Sequence, residues 1–400
     1  MLAPLVNAAI YVVPFLLVIT FIITIHELGH FLTARAFGVA VDRFSIGFGR
    51  AIASFKDKWG VEWRIAWLPL GGYVRFSGDE NVASVPDQDD LAELRKHIQL
   101  KEGVGAEKRY FQFKPLWQRA LVVAAGPAAN FLLAIVLFGA FFWIFGEPVA
   151  SSRVETVQAG RAAAVAGVKP GDVIVAVDGQ KLTNFGDLQS YVVDRPATPM
   201  RLTVERAGHI FDLPITSGVS IEKNPMGGTV RVGLLGLISK AEVRHYGPIE
   251  AFARGATQTW LVVEKTGYYV GRLFAGKADW PFGGIISTAH LTAAVTHEAF
   301  DASQTQHANL ALLLLYSFLQ VAALLSVSVG LVNVLPIPVL DGGHLLFYAY
   351  ESVARRPLAV AAQAAAYRVG LALLVGLMLF TTWQDLQRLR VFHFLGALFS

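Results

Sequence analysis

Four long runs of apolar residues constrain this chain more than any other feature of its sequence. They span 6–25, 120–145, 310–335 and 358–382. A transmembrane helix needs about 20 apolar residues to cross a hydrocarbon core of about 30 Å, and each run is near or above that length. Only 16% of the 400 residues are charged and the mean hydropathy is +0.48, which excludes an ordinary soluble globule. The runs predict a polytopic α-helical membrane protein with about four transmembrane helices.

The distribution of lysine and arginine predicts the orientation of these helices. Residues 1–25 contain neither, fourteen lie within 34–119, and Arg355 and Arg356 lie between the third and fourth runs. Short basic loops stay in the cytoplasm, so we expect both regions there. Both termini and the soluble module between the second and third runs are then outside. The first run has no basic segment at its start and no small-residue cleavage site, both of which a signal peptide would have. We therefore expect that it is not removed.

The net charge and the cysteine content limit the partners and the metal sites that the chain can have. The net charge of +4 follows from the basic cytoplasmic loops, and we expect no nucleic acid partner. The chain has no cysteine, which excludes disulfides and cysteine-ligated zinc.

Residues 42–79 have the pattern of a β hairpin. Apolar and polar residues alternate there around a turn expected at 57–60, and glycine and aromatic residues are frequent. Non-helical backbone is tolerated at membrane depth only where protein or water satisfies its polar groups. We expect a sheet that lies on, or dips into, the cytoplasmic face of the membrane.

The soluble module carries one copy of a PDZ-like signature. The sequence AGVKPGDVIVAVDGQKL at 166–182 combines a helix end, a Pro-Gly-Asp turn, a buried strand and an Asp-Gly hairpin. Such a domain offers a groove for a peptide, or it acts as a steric plug against bulky substrates; the sequence favours neither. Residues 248–276 predict an amphipathic helix near the outer membrane surface.

The chemically specific motif is HELGH at 26–30, at the end of the first apolar run. Positions i and i+4 share one face of a helix, so His26 and His30 can bind one metal ion. Glu27 lies about 100° around the helix axis, where it can hold a water without being a ligand. The alternative is a cluster of polar residues that meets lipid headgroups, but ionisable groups inside a span are costly and usually functional.

A catalytic zinc site needs a third protein ligand. Asp341 is the candidate, because it interrupts an apolar stretch after Pro336 and Pro338, which break any helix there. His344 and Glu351 are the alternatives. HEAFD at 297–301 also begins with His-Glu, and we interpret it as a polar surface helix.

These features divide the chain into eight predicted segments. They are transmembrane helix 1 with the HExxH motif (1–41), a membrane-associated β element (42–79), a cytoplasmic loop (80–115), transmembrane helix 2 (116–146), a PDZ domain (147–245), an amphipathic juxtamembrane region (246–308), transmembrane helix 3 with the LDGG motif (309–350), and transmembrane helix 4 with the C-terminal tail (351–400).

The chain resembles the site-2 protease family of intramembrane zinc metalloproteases, and within it the bacterial regulator-of-sigma-E protease group. The matching stretches are HELGH (26–30), FSIGFG (44–49), LPLGGYVRFSGDE (68–80), AAGPAANFLLA (124–134), the PDZ signature, and GLVNVLPIPVLDGGHL (330–345). Well-known members of this group carry two tandem PDZ domains, whereas this chain has the signature of one.

The resemblance implies both a site and a function. Zinc would be held by His26, His30 and Asp341, with Glu27 as catalytic base. The substrate-binding residues would be Asn333, Gly71, Gly72 and Pro336. The substrates would be single-span membrane proteins, such as an anti-sigma factor or a remnant signal peptide, cleaved in regulated intramembrane proteolysis. The resemblance places the protein in the bacterial inner membrane, with the active site near the cytoplasmic side and the PDZ domain in the periplasm.

Two other functions compete with this one. A membrane-anchored PDZ scaffold with an inactive metal site would need neither the HExxH motif nor Asn333 and Asp341. A metal transporter could use intramembrane histidine and aspartate, but it would not need a glutamate beside the first histidine or a PDZ module.

Overall fold

The computed structural model describes residues 2–78, 88–182, 184–223, 229–274, 288, 292 and 309–388. The chain forms two compact units. The first comprises Met1–Phe141, Ile249–Ala275 and Phe282–Ser400, and the second comprises Phe142–Pro248 and Gly276–Pro281. The predicted polar helix at 297–301 lies outside the described residues.

The described helices and strands follow one another in chain order. The helices are α1 (Leu2–Ala36), α2 (Gln88–Glu102), α3 (Leu116–Phe145), α4 (Ala162–Val165), α5 (Phe185–Val193), α6 (Pro248–Phe274), α7 (Leu310–Val334), α8 (Asp341–Ala354) and α9 (Val360–Arg388). The strands are β1 (Val41–Lys56), β2 (Glu62–Phe76), β3 (Glu147–Val157), β4 (Val173–Val177), β5 (Gln180–Lys181), β6 (Pro199–Arg206), β7 (His209–Thr216), β8 (Gly218–Lys223), β9 (Thr229–Leu234) and β10 (Leu237–Arg244).

Four of the described helices are long and apolar enough to cross a membrane, as the apolar runs predict. The candidate spans are Val13–Ala36, Leu116–Phe145, Leu310–Val334 and Val360–Asp385. The first span extends beyond the apolar run, because helix α1 continues without a break through the HExxH motif to Ala36. The two histidines of the motif therefore lie on a membrane-length helix rather than in a loop after it.

Strands β1 and β2 form the hairpin expected at 42–79, and its turn lies where the sequence places it. The Asp57 carboxylate accepts hydrogen bonds from the backbone N–H groups of Trp59 (2.9 Å) and Val61 (3.0 Å). The first half of β1 lies between two segments of β2, since Ile46 pairs with both Ile65 and Gly72. This arrangement leaves the end of β2 (residues 72–76) paired with β1 on one side only within the sheet.

Aromatic packing joins the hairpin to the end of α1. The ring of Phe31 contacts those of Phe44 and Trp63 edge-on, at centroid distances of 5.4 and 5.2 Å. Phe31 and Phe44 are both buried. Full burial of such a side chain stabilises the fold by about 1.5–3 kcal/mol, which fixes the sheet against the helix that carries the metal motif.

The segment between α7 and α8 departs from a helix at the two prolines. Helix α7 ends at Val334, residues 335–340 connect, and Asp341 is the first residue of α8. A Cβ atom on Gly342 would collide with the carbonyl oxygens of Val334 and Leu335, so only glycine lets α8 begin this close to the end of α7. The sequence predicts that the two prolines break any helix before Asp341. The structure adds that Asp341 begins a new helix.

Helix α6 packs against α3 through one face. Ala251 and Thr259 on this face are buried, and the backbone at Gly255 lies against Ile135 and Gly139 of α3. The side chain of Trp260, on another face of α6, is 67% exposed. One face of α6 is therefore buried against α3, and the amphipathic character expected from the sequence stays a prediction.

The second unit is built around an antiparallel sheet. Its strand order is β10-β3-β4-β6-β7, β5 pairs with β4, and β8 and β9 form a separate two-stranded sheet. The core contains the buried side chains of Ile174, Leu188 and Leu202. Helix α5 packs on this core and has a capping box, in which the side chains of Asn184 and Asp187 each accept a hydrogen bond from the backbone N–H of the other.

Candidate metal centre

Helix α1 places the two histidines of the motif side by side on one face of the helix. They are one helical turn apart, their Nε2 atoms are 3.1 Å apart, and their rings meet edge-on with centroids at 4.8 Å. His26 is buried, with 6% of its surface exposed. Two imidazoles in this arrangement present two nitrogen atoms to the same point in space.

The third expected ligand, Asp341, comes from the start of α8 to the same point. Its Oδ2 atom lies 3.1 Å from Nε2 of His26 and 3.4 Å from Nε2 of His30. Among the described residues, these three side chains form the group of histidine and acidic residues that is arranged to hold a metal ion. The structure therefore brings together residues from the two ends of the chain.

The distances and the chemistry of this group fit a zinc ion. Tetrahedral zinc with bonds of about 2.0–2.1 Å to nitrogen and oxygen keeps its ligand atoms about 3.3 Å apart, close to the three separations observed. The Oδ2 atom of Asp341 is buried, and although it is close to both imidazoles it has no partner in hydrogen-bond geometry. A bound cation would satisfy such a buried acceptor aimed at two ring nitrogens.

The outer ring nitrogens of both histidines face helix α3. Nδ1 of His30 lies 2.8 Å from the carbonyl oxygen of Val122, so Nδ1–H donates there and the Nε2 lone pair points to the metal position. Nδ1 of His26 lies 3.2 Å from the side-chain amide of Asn130. Helix α3 thus supplies the groups that orient both imidazoles.

Gly126 makes room for the two imidazoles. It lies between Val122 and Asn130 on the same face of α3, and a Cβ atom there would collide with the ring of His30 and lie 2.8 Å from Cε1 of His26. On the opposing helix, a Cβ atom on Gly29 would collide with the backbone of α3. These glycines let α1 and α3 approach closely, as small residues do in membrane helix pairs.

Glu27 is held at the site by the hairpin. The backbone N–H of Val74 in β2 donates a hydrogen bond of 3.1 Å to Oε2 of Glu27. Gly72 also lies beside this carboxylate, because a Cβ atom there would be 3.7 Å from Cγ of Glu27. The end of β2 therefore faces the candidate catalytic base.

The expected substrate-binding residues lie on three elements. Gly71 and Gly72 are in β2, with Gly71 next to the side chain of Ile23 in α1. Asn333 lies in the last turn of α7, where its amide nitrogen donates to the carbonyl of Val329 at 3.1 Å. Pro336 is exposed in the segment between α7 and α8.

The two alternatives for the third ligand are engaged elsewhere. Nε2 of His344 lies 3.2 Å from the hydroxyl of Tyr367 in α9. The carboxylate of Glu351 pairs with Arg119 at 2.6 Å. The geometry therefore favours Asp341 over both.

Sequence reasoning did not assign Asn130 or Gly126 to the site. An amide and a Gly-Pro pair inside an apolar span indicate by themselves only a kink or a close helix contact. Their position opposite the HExxH motif becomes visible only in the packing of α3 on α1.

The sequence of this chain matches a family of known proteins. The model of the family described as peptidase family M50 matches residues 14–377. "Metalloprotease MmpA" of Caulobacter vibrioides is 48% identical over 395 residues, which cover 98% of this chain and 99% of that protein. "Putative zinc metalloprotease Atu1380" of Agrobacterium fabrum is 40% identical over 385 residues, which cover 95% of this chain and 96% of that protein.

Among solved structures, the PDZ domain of the SdrC-like protein of Listeria innocua matches with 17% identity and a TM-score of 0.19. The match covers 25% of this chain and 100% of that domain. At this TM-score, the PDZ assignment of the second unit stays a prediction.

Proposed function

The chain belongs to peptidase family M50 and is a zinc metalloendopeptidase; from this premise we propose that it cleaves the transmembrane segments of single-span membrane proteins within the bilayer. One observation carries the proposal: the side chains of His26, His30 and Asp341 meet. The helices that bear them belong to membrane-length spans or directly follow one. A peptide bond that reaches this group must come from a chain inside or beside the membrane.

We assign the three side chains as the zinc ligands and leave the fourth position of the tetrahedron for the reaction. When bound, zinc supplies Lewis acidity, which acidifies water and polarises the scissile carbonyl. His26 and His30 would direct their Nε2 lone pairs toward the metal, and the carboxylate of Asp341 would offset the charge of the cation.

In this mechanism Glu27 is the catalytic base. Its carboxylate takes the proton of the attacking water and delivers it to the nitrogen of the leaving amide. The hydrogen bond from Val74 holds Oε2 on the side of β2, and the other carboxylate oxygen stays available to water. Glu27 thus acts on the proton and stays outside the ligand set.

The end of β2 suits an extended substrate. A transmembrane helix hides its peptide groups in internal hydrogen bonds, so the substrate has to unwind before it can be cut. Residues 72–76 pair with β1 on one side and reach Glu27 through Val74 on the other. We propose that the unwound segment aligns along this edge as an added strand, with Gly71, Gly72, Asn333 and Pro336 as its contacts.

The hairpin also suits a membrane-facing position. Its apolar side chains are largely exposed, including Trp67 (73%), Phe55 (65%) and Ile52 (63%). A soluble protein rarely leaves so many large apolar groups in water, which supports a re-entrant β element that dips into the cytoplasmic face of the membrane.

We place the protein in the bacterial inner membrane, with the metal centre toward the cytoplasm and the second unit in the periplasm. The support is the concentration of Lys and Arg in 34–119 and at Arg355 and Arg356. We propose that the second unit is a PDZ domain, which binds a substrate end or bars bulky ectodomains. An anti-sigma factor or a remnant signal peptide is a substrate of the expected type.

The test is cleavage of a purified single-span reporter protein in detergent by the full chain, with zinc content measured in the same sample. We expect stoichiometric zinc, cleavage within the transmembrane segment of the reporter, loss of cleavage with a chelator and recovery with added zinc. Zinc without cleavage would favour the membrane-anchored scaffold, and cleavage only outside the transmembrane segment would contradict the intramembrane proposal.

A further inference from the structure

Asn130 is a buried amide in the middle of an apolar helix. It has no exposed surface and lies in the candidate span Leu116–Phe145. Its backbone carbonyl accepts a hydrogen bond of 2.7 Å from the hydroxyl of Ser326, which is also fully buried in α7. An amide at such a place needs hydrogen-bond partners, because no water is available to replace them.

The one hydrogen-bond contact of this side chain among the described residues is with a proposed metal ligand. The amide nitrogen of Asn130 lies 3.2 Å from Nδ1 of His26, while its Oδ1 atom is buried without a partner. In this orientation the amide donates to Nδ1, so the ring proton of His26 must be on Nε2. That proton would point at the position where His30 and Asp341 converge.

A metal ligand requires the opposite tautomer. His26 can bind an ion through Nε2 only if its proton is on Nδ1, and Nδ1–H then needs an acceptor. The Oδ1 and Nδ2 atoms of an asparagine have similar size, and they exchange places when the terminal amide group makes a half-turn. Because Oδ1 of Asn130 has no partner, this half-turn breaks no hydrogen bond of that oxygen.

We propose that in the metal-loaded protein Oδ1 of Asn130 accepts a hydrogen bond from Nδ1–H of His26, which makes Asn130 a positioning residue for the first zinc ligand. His30 already follows this pattern, with Nδ1 at 2.8 Å from the carbonyl oxygen of Val122. Both imidazoles then donate their Nδ1–H groups to acceptors on α3 that lie two helical turns apart. The Nε2 lone pairs of both rings point to the same position. The inference rests on the metal centre proposed above.

The packing keeps Asn130 in place for this role. Ser326 holds its backbone from α7, and Gly330 of the same helix lies against its Cβ, where an added methyl group would come within 3.4 Å. The side chain is therefore confined between α1 and α7, and its terminal amide has little freedom except the half-turn.

The test compares zinc affinities of full-length variants in detergent, measured by competition with a chelator. Asn130→Leu removes the acceptor and keeps the number and branching of the side-chain heavy atoms, and we expect it to bind zinc about 10–100-fold more weakly, as is usual when such a partner of a ligating histidine is lost. Asn130→Asp has an acceptor oxygen at each terminal position of the side chain, and we expect its zinc affinity to stay close to that of the unmodified chain. Ser326→Ala is the matched control, because it alters the same helix contact without touching His26.

The melting temperature of each variant in excess chelator separates positioning from packing. A positioning role predicts that Asn130→Leu loses zinc affinity although its metal-free melting temperature stays near that of Ser326→Ala. Zinc affinity of Asn130→Leu equal to that of the unmodified chain would overturn the inference, and so would an Asn130→Asp variant as weak as Asn130→Leu. If the leucine variant does not fold, Asn130→Ala takes its place. Absence of zinc from the unmodified chain would instead overturn the metal centre itself.

Discussion

The backbone N–H of Val74 donates a hydrogen bond of 3.1 Å to Oε2 of Glu27, which links the hairpin to the metal-binding helix at one carboxylate. The two residues belong to separate elements, β2 and α1, which also meet where the ring of Trp63 in β2 contacts that of Phe31 in α1. The orientation of the candidate base is thus set by a strand and not only by its own helix. Displacement of the hairpin would move the base without moving the histidines.

Replacement of Glu27 by glutamine should separate catalysis from metal binding. The amide cannot take a proton, so we expect cleavage of a single-span reporter to fall by about 10²–10⁴-fold, the usual contribution of a general base. Zinc content should stay stoichiometric, because Glu27 is outside the proposed ligand set. Glu93→Gln, at an exposed position of α2, is the control and should leave both unchanged. Undiminished cleavage by Glu27→Gln would remove Glu27 from the mechanism.

Asp341 and His344 offer a direct comparison of candidate third ligands. Asp341→Ala should lose zinc from the purified protein, because it removes the Oδ2 atom that meets both imidazoles. His344→Gln should keep zinc, since the ring of His344 is engaged by Tyr367. Metal analysis of both variants decides between them, and the reverse result would assign the ligand to His344.

An added methyl group at Gly126 should disturb the metal centre. The Cβ atom of Gly126→Ala would collide with the ring of His30, and overpacking of this kind costs about 1–3 kcal/mol. We expect weaker zinc binding and a lower melting temperature in detergent. Gly376→Ala in α9 is the control, because a Cβ atom there meets nothing within 4 Å and should change neither quantity. Equal behaviour of the two variants would show that α1 and α3 do not pack as described.

The second unit should lose stability in acid because of Asp172. Burial of this carboxyl opposes its ionisation, but hydrogen bonds from Arg206 (2.6 and 2.7 Å) and from the N–H of Lys169 (2.8 Å) outweigh it and hold the pKa of Asp172 below its ordinary value. A lowered folded-state pKa stabilises the fold above the unfolded-state pKa of about 3.9, and this stability is lost as the pH falls further. Between pH 7 and 5 the contribution should stay constant.

Hydrogen exchange of peptides from residues 172–206 in the full chain measures this effect. Asp172→Asn should exchange faster than the unmodified chain at pH 6, by an amount that corresponds to about 1–3 kcal/mol. The difference should shrink below pH 4, because the unmodified carboxyl becomes protonated there. A difference that is the same at pH 6 and pH 3 would assign the stabilisation to something other than the charge of Asp172.

The sequence predicts those parts of the fold and of the site that depend on local patterns. The four membrane-length helices follow from apolar runs, and the turn at 57–60 follows from the Asp57 side chain and its near neighbours. The pairing of His26 with His30 follows from helical periodicity alone. Each of these features needs only residues that are close along the chain.

The remaining features depend on contacts between distant segments. The hydrogen bond between Val74 and Glu27 follows from how β2 folds back along β1, which alternation of residue types does not encode. The role of Asn130 depends on the register of α3 against α1, since a shift by one residue would turn the amide away from His26. The two prolines predict the break in the helix before Asp341, but the start of α8 at Asp341 depends on how the following glycines pack.

The position of Asp341, far downstream of the two histidines, has a consequence for biosynthesis. A ribosome delivers α1 early, whereas the carboxylate that completes the proposed centre emerges only after the second unit and α7 have been made. Until then the paired imidazoles have no third partner from this chain, and a nascent polypeptide carries an unassembled protease beside other newly inserted membrane proteins. If Asp341 completes the centre as proposed, proteolytic competence is delayed until this residue has been synthesised.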